Sequence, residues 1–138
     1  MARSSDPTLG PSPSELDPLI VWLDTASDGL VRLEPYRLDE LRAMVRRVAD
    51  VVATHTREYD GRLGRAPPPG GRPATWALLR ADHAWFSVSL EQLAWFFGIV
   101  ENEDHGGHRQ ALGQYGRLLA EALRRHRDLE QEYFRDPP

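Results

Sequence analysis

The stretch Thr75–Glu101, TWALLRADHAWFSVSLEQLAWFFGIVE, decides the fold. It carries Trp76, Trp85, Phe86, Trp95, Phe96 and Phe97 together with many aliphatic residues. At 1.5 Å of rise per residue it makes a helix about 40 Å long. On a helical wheel only Arg80, His83, Ser87 and Glu91 line up as a narrow polar stripe. A helix that is apolar over most of its circumference must be covered on several sides. It is therefore the core helix of a bundle, or one of its faces meets another subunit. Trp85, Phe86, Trp95, Phe96 and Phe97 are the interface candidates on that second view, with a second copy of the chain or another protein as partner.

Two further helices flank it. In Arg37–Asp60, the residues Leu38, Leu41, Val45, Val48, Val52, His55 and Tyr59 recur at alternating spacings of three and four, which is one face of a helix. In His108–Phe134 the same spacing joins His108, Leu112, Tyr115, Leu119, Ala122, His126, Leu129 and Tyr133. A second stripe there, Gly113, Gly116 and Ala120, is made of small residues. A glycine inside a helix costs about 1 kcal/mol relative to alanine. Two of them point to a bulky element packed close, and the aromatic helix is the expected partner.

The breaks between these segments are clear. Residues 61–74, GRLGRAPPPGGRPA, form a proline- and glycine-rich linker that excludes regular structure. Gly106-Gly107 ends the segment ENEDHGG. Toward the N-terminus, Asp17-Pro18 reads as an N-cap followed by proline at the first helical position. It opens a short helix over Pro18–Ser27, for which a hairpin across 18–33 is the alternative. Residues 1–14 are rich in serine and proline and are expected to be a disordered arm. The expectation is an all-α, antiparallel bundle of three long helices plus a short N-terminal helix laid across it, a single domain over residues 15–136.

Composition narrows the function classes. The 138-residue chain has a net charge of −4, which argues against nucleic acid as a partner. All 17 basic residues are arginine, and there is no cysteine, so disulfides, thiolate metal sites and cysteine nucleophiles are excluded. The most apolar run, Leu93–Val100, is far shorter than the roughly 20 residues a membrane span needs. The N-terminal residues lack the apolar core of a secretion signal, so a cytoplasmic location is expected. GRLGR and GGR lack the Lys-Ser/Thr of a phosphate loop. Ser87 and Ser89 fall mid-helix, where no strained turn exposes a hydroxyl. No catalytic residue stands out, and an enzyme is not the expectation.

Two constellations remain. His55 and His126 lie on the apolar stripes of their helices, and Asp82 falls on the wheel among Leu78, Phe86, Leu93 and Val100. Two imidazoles and a carboxylate pointing inward from three helices could hold a divalent metal, since bundle cores host such sites. They could equally form a structural polar cluster, because a buried carboxylate needs a partner. The second constellation is Glu101, Glu103, Asp104, His105 and His108, within eight residues of one loop. A solvated acidic loop that caps the following helix is the plainer explanation. The first expectation for function is thus a non-catalytic interaction or regulatory module, acting as a homodimer or with a protein partner. The alternative is a bundle that binds a metal or small ligand through inward histidines.

Overall fold

The computed structural model describes residues 16–135, and four helices account for most of them. They are α1 (Leu16–Val31), α2 (Leu38–Leu63), α3 (Pro73–Asn102) and α4 (Gly106–Arg135). There is no strand among the described residues, so the N-terminal segment is the helix Leu16–Val31 and not a hairpin. Among the described residues no helix is long and apolar enough to cross a membrane. The arm at residues 1–14 lies outside the described residues.

The helix ends follow local chemistry, and several differ from the sequence reading. Asp17 is not an N-cap: it lies inside α1, which already includes Leu16. Nor does α1 stop at Ser27. It runs through Asp28-Gly29 to Val31 and closes with Leu33 in the left-handed region (φ 61°), where the Glu34 N–H donates to the Gly29 carbonyl. At α2 the Glu40 carboxylate reaches back to accept from the Arg37 N–H at 2.7 Å. This is the acidic half of a capping box; the Arg37 guanidinium, which has no acceptor to offer, donates to Asp39 instead. α2 passes the exposed Gly61 and stops at Gly64, whose φ of 75° no β-carbon favours. Pro73 at the first turn of α3 lacks the N–H that would be left over there.

Each helix runs antiparallel to the next. Arg42 of α2 pairs with Glu101 of α3, and Asp60 of α2 with Arg80 of α3. Phe96 stacks on Tyr115 of α4, while His83, earlier in α3, meets His126, later in α4. Along α1 and α4, Asp17 pairs with Arg127, Asp24 with Arg124 and Asp28 with Arg117. α1 therefore lies lengthwise against α4 and not across the bundle. It also occupies the small-residue stripe that had been expected to receive α3. A β-carbon on Gly113 would sit 2.8 Å from Leu30, and one on Gly116 would meet Ser27. The physical reason is that α1 buries Leu19, Ile20, Leu23 and Leu30 by lying close to the α4 backbone, and only glycine leaves that space.

The core joins Leu19, Ile20 and Leu23 of α1 to Leu41, Val48, Val51 and Val52 of α2, Phe86, Leu93, Phe97 and Val100 of α3, and Leu112, Leu119 and Leu123 of α4. Each such side chain contributes about 1.5–3 kcal/mol by leaving water. α1 has 16 residues, against 26 in α2 and 30 each in α3 and α4. Its described start is level with Arg127, so α2, α3 and α4 extend past it. In that extension Leu63 and Leu79 are buried but do not belong to the continuous core. A polar layer separates the two.

Candidate metal centre

That layer consists of His55 from α2, His83 from α3, and His126 and Glu130 from α4. All four are buried, with exposures of 3%, 3%, 0% and 5%. One ligand atom from each lies within 4.8 Å of every other. The His55 Nε2 is 2.9 Å from both Glu130 oxygens, and the His126 Nε2 is 2.9 Å from Glu130 Oε2. The His83 Nε2 is 3.5 Å from the same Oε2 and 3.1 Å from the His126 Nε2.

The outer face of two imidazoles is fixed by carboxylates. The His83 Nδ1 lies 2.7 Å from Asp60 Oδ1, and the His126 Nδ1 lies 2.9 Å from Asp82 Oδ2. An ionised carboxylate only accepts hydrogen bonds, so both Nδ1 atoms carry the proton and donate it. In a neutral imidazole the other nitrogen is then a bare lone pair. His83 and His126 consequently aim two Nε2 lone pairs at each other across 3.1 Å, with the Glu130 carboxylate beside them. Such an arrangement is repulsive unless a cation occupies the centre, either a shared proton or a metal ion. The charges already present favour one. Burial alone would raise the Glu130 carboxyl, but His126, His55 and His83 outweigh it and hold the group well below the usual carboxylate range. Burial likewise works to lower His83, yet Glu130 and Asp60 prevail and lift it above its ordinary 6.5.

Aromatic rings wall the layer. Tyr59 stacks on His55 with ring centres 4.3 Å apart, and Phe134 packs edge-on against Tyr59. Phe86 meets the His126 ring edge-on at 5.1 Å. Only the His55 Nδ1 among these polar groups is buried without a partner. Beyond the layer, Arg72 donates to the carbonyls of Glu132 and Tyr133 and so ties the α2–α3 connection to the end of α4.

Of the residues singled out from sequence, His55, Asp82 and His126 do come together. Asp82 stands one shell out: its side chain is 41% exposed, and it orients His126 instead of reaching the centre. His83 and Glu130 complete the group and were not singled out. His83 had been placed on the polar stripe of α3. The loop constellation divides. Glu101 pairs with Arg42, and Asp104 holds Arg109 with both oxygens, which keeps its carboxyl below its ordinary range. Glu103, His105 and His108 stay near one another, but the His105 Nδ1 accepts the Gly107 N–H at 3.1 Å at the start of α4. His108 donates from Nδ1 to the Glu103 carbonyl at 2.7 Å. These are contacts that close a helix end. Among the interface candidates, Phe86 and Phe97 are buried in the core, and Phe96 is half-buried against Tyr115. Trp85 and Trp95 are exposed.

No protein-family model matches the chain, and no curated protein or solved structure is significantly similar to it.

Proposed function

We propose that the protein is a metal-binding helical bundle that holds one divalent first-row transition ion between His55, His83, His126 and Glu130. A single observation carries this reading: bare Nε2 atoms converge on a buried carboxylate while the opposite nitrogens of His83 and His126 are held by carboxylates. Protons bridge two atoms at a time, whereas a metal ion satisfies all four donors at once. A tetrahedral ion about 2.0–2.1 Å from each donor spaces them roughly 3.3–3.4 Å apart. The donor separations of 2.9, 3.1 and 3.5 Å bracket that value.

Imidazole nitrogen suits zinc, iron, copper and nickel, and a carboxylate adds negative charge without demanding a soft metal. Asp60 and Asp82 do what outer carboxylates do in such sites, fixing the tautomer and making the ligand nitrogen more basic. The ion links α2, α3 and α4 at the end of the bundle level with the described start of α1, so its binding energy adds to the stability of that end.

Titration of chelator-treated protein with cobalt(II), followed by the visible absorption of a four-coordinate ion, tests the reading. One equivalent should saturate the wild type, and Glu130→Gln or His83→Ala should remove the signal. Saturable binding that survives in both variants, or no binding to the wild type, would overturn it. A non-catalytic interaction role is the second reading, favoured by the exposure of Trp85 and Trp95 on α3.

A further inference from the structure

α3 leaves one face uncovered along much of its length. Leu78, Ala81, Trp85, Val88, Gln92 and Trp95 follow one another at spacings of three, four, three, four and three, and all six are exposed. The four large apolar members are 56%, 39%, 55% and 60% exposed at Leu78, Trp85, Val88 and Trp95. That is the a/d spacing of a helix-pairing seam, about 26 Å long at 1.5 Å per residue. The seam itself carries no charge. The pairings of His83 with His126 and Phe96 with Tyr115 set Leu118 of α4 level with Gln92, and Leu118 is also 55% exposed.

We infer that this face of α3 packs against the same face of a second copy, with the two helices antiparallel about a two-fold axis. In that pairing Leu78 lies opposite Trp95 of the second copy, Ala81 opposite Gln92, and Trp85 opposite Val88. Every large side chain meets an apolar one. Ala77 and Ala84, exposed beside the seam, leave room for the helices to approach. Glu91 falls opposite Ala84 of the second copy, so no like charges meet. A neutral seam on a chain of net charge −4 offers nothing to phosphates, of nucleic acid or of anionic lipid.

The area sets the strength. A tryptophan presents up to about 250 Å². At 39% and 60% exposure, Trp85 and Trp95 leave on the order of 250 Å² uncovered, and Leu78 and Val88 enlarge the patch. Two such faces fall at the small end of specific interfaces, below about 1,200 Å² in total. The dimer is accordingly a reversible one that forms with rising concentration.

Sedimentation velocity on the full chain from about 1 μM to 1 mM tests this, since that range spans weak and moderate association. The expected result is a monomer–dimer transition whose Kd rises at least tenfold in Val88→Arg. Leu33→Arg removes an exposed apolar group elsewhere, at 50% exposure, and should leave the Kd unchanged. Helical circular dichroism confirms that both variants fold. A monomer at every concentration, equal effects of the two substitutions, or partition of the wild type into zwitterionic vesicles that Val88→Arg abolishes would each overturn the inference. It does not depend on the metal reading, and repeating the run with chelator keeps the two apart.

Discussion

Two groups of histidine and glutamate stand at opposite ends of α4, and they resemble each other in composition only. His55, His83, His126 and Glu130 are drawn from three helices and lie in the interior. Glu103, His105 and His108 come from one short stretch of chain; the first two face water and His108 is half-buried. In the exposed group the ring nitrogens serve the backbone, closing the first turn of α4. In the buried group the backbone is already paired within helices, and the ring nitrogens turn to one another and to carboxylates. Water dissolves any conflict in the first group. The second has no water to do so, and its geometry has to be resolved by a cation. Ligand-type residues in proximity are common; lone pairs forced together in a dry interior are informative.

The largest expected difference between the two groups is in stability. Glu130→Ala leaves three imidazoles without their buried carboxylate, and should cost about 3–5 kcal/mol by urea unfolding in chelator. Glu103→Ala should stay within about 0.5 kcal/mol, as surface changes do. Equal costs at both positions would show that burial is not what distinguishes them.

A smaller effect is expected from pH, and its sign separates proton from metal. In metal-free protein His83 is lifted above its ordinary 6.5, so its contribution is complete below that pH and fades as pH rises through the higher folded value. Glu130 is depressed from its ordinary 4.5, so its contribution is present above 4.5 and fades as pH falls below it. Metal-free protein should therefore be most stable between about 4.5 and 6.5 as far as these two groups govern it. With metal bound the alkaline limb reverses, because protons compete with the ion for the same Nε2 atoms. Thermal melts from pH 4 to 9, with zinc and with chelator, would show the two limbs diverging; parallel curves would refute a metal at this centre.

The smallest effect belongs to the exposed group. His105→Ala removes the ring that accepts the Gly107 N–H and should cost about 0.5–1 kcal/mol, the usual range for a lost helix cap. It should leave the affinity of the buried group for cobalt(II) untouched. A fall in that affinity would mean that the loop takes part in binding.

Much of the buried centre was legible. His55 and His126 stood on apolar stripes whose period is set by the helix, and both point inward as that period requires. His83 was hidden by its own helix. α3 is apolar on so many sides that a wheel does not say which side faces the core, and the inward row Leu79, His83, Phe86, Leu93, Phe97 and Val100 emerges only against α2 and α4. Glu130 did leave a signal, the four-residue spacing from His126 that puts both on one face. It was lost among Glu121, Asp128 and Glu132, which share its neighbourhood in sequence but face water.

The sequence by itself determined most of the elements: three long helices, their approximate limits, and a stripe of small residues on α4 that some helix had to fill, while the N-terminal segment stayed open between helix and hairpin. Those are set by periodicity and by proline and glycine, which act within a few residues. Tertiary structure decided which helix fills that stripe, and it is α1. It also decided which of two constellations of histidine lost its water and which face of α3 was left over. Burial is a property of neighbours distant in the chain, and no local pattern carries it when a helix is apolar all round.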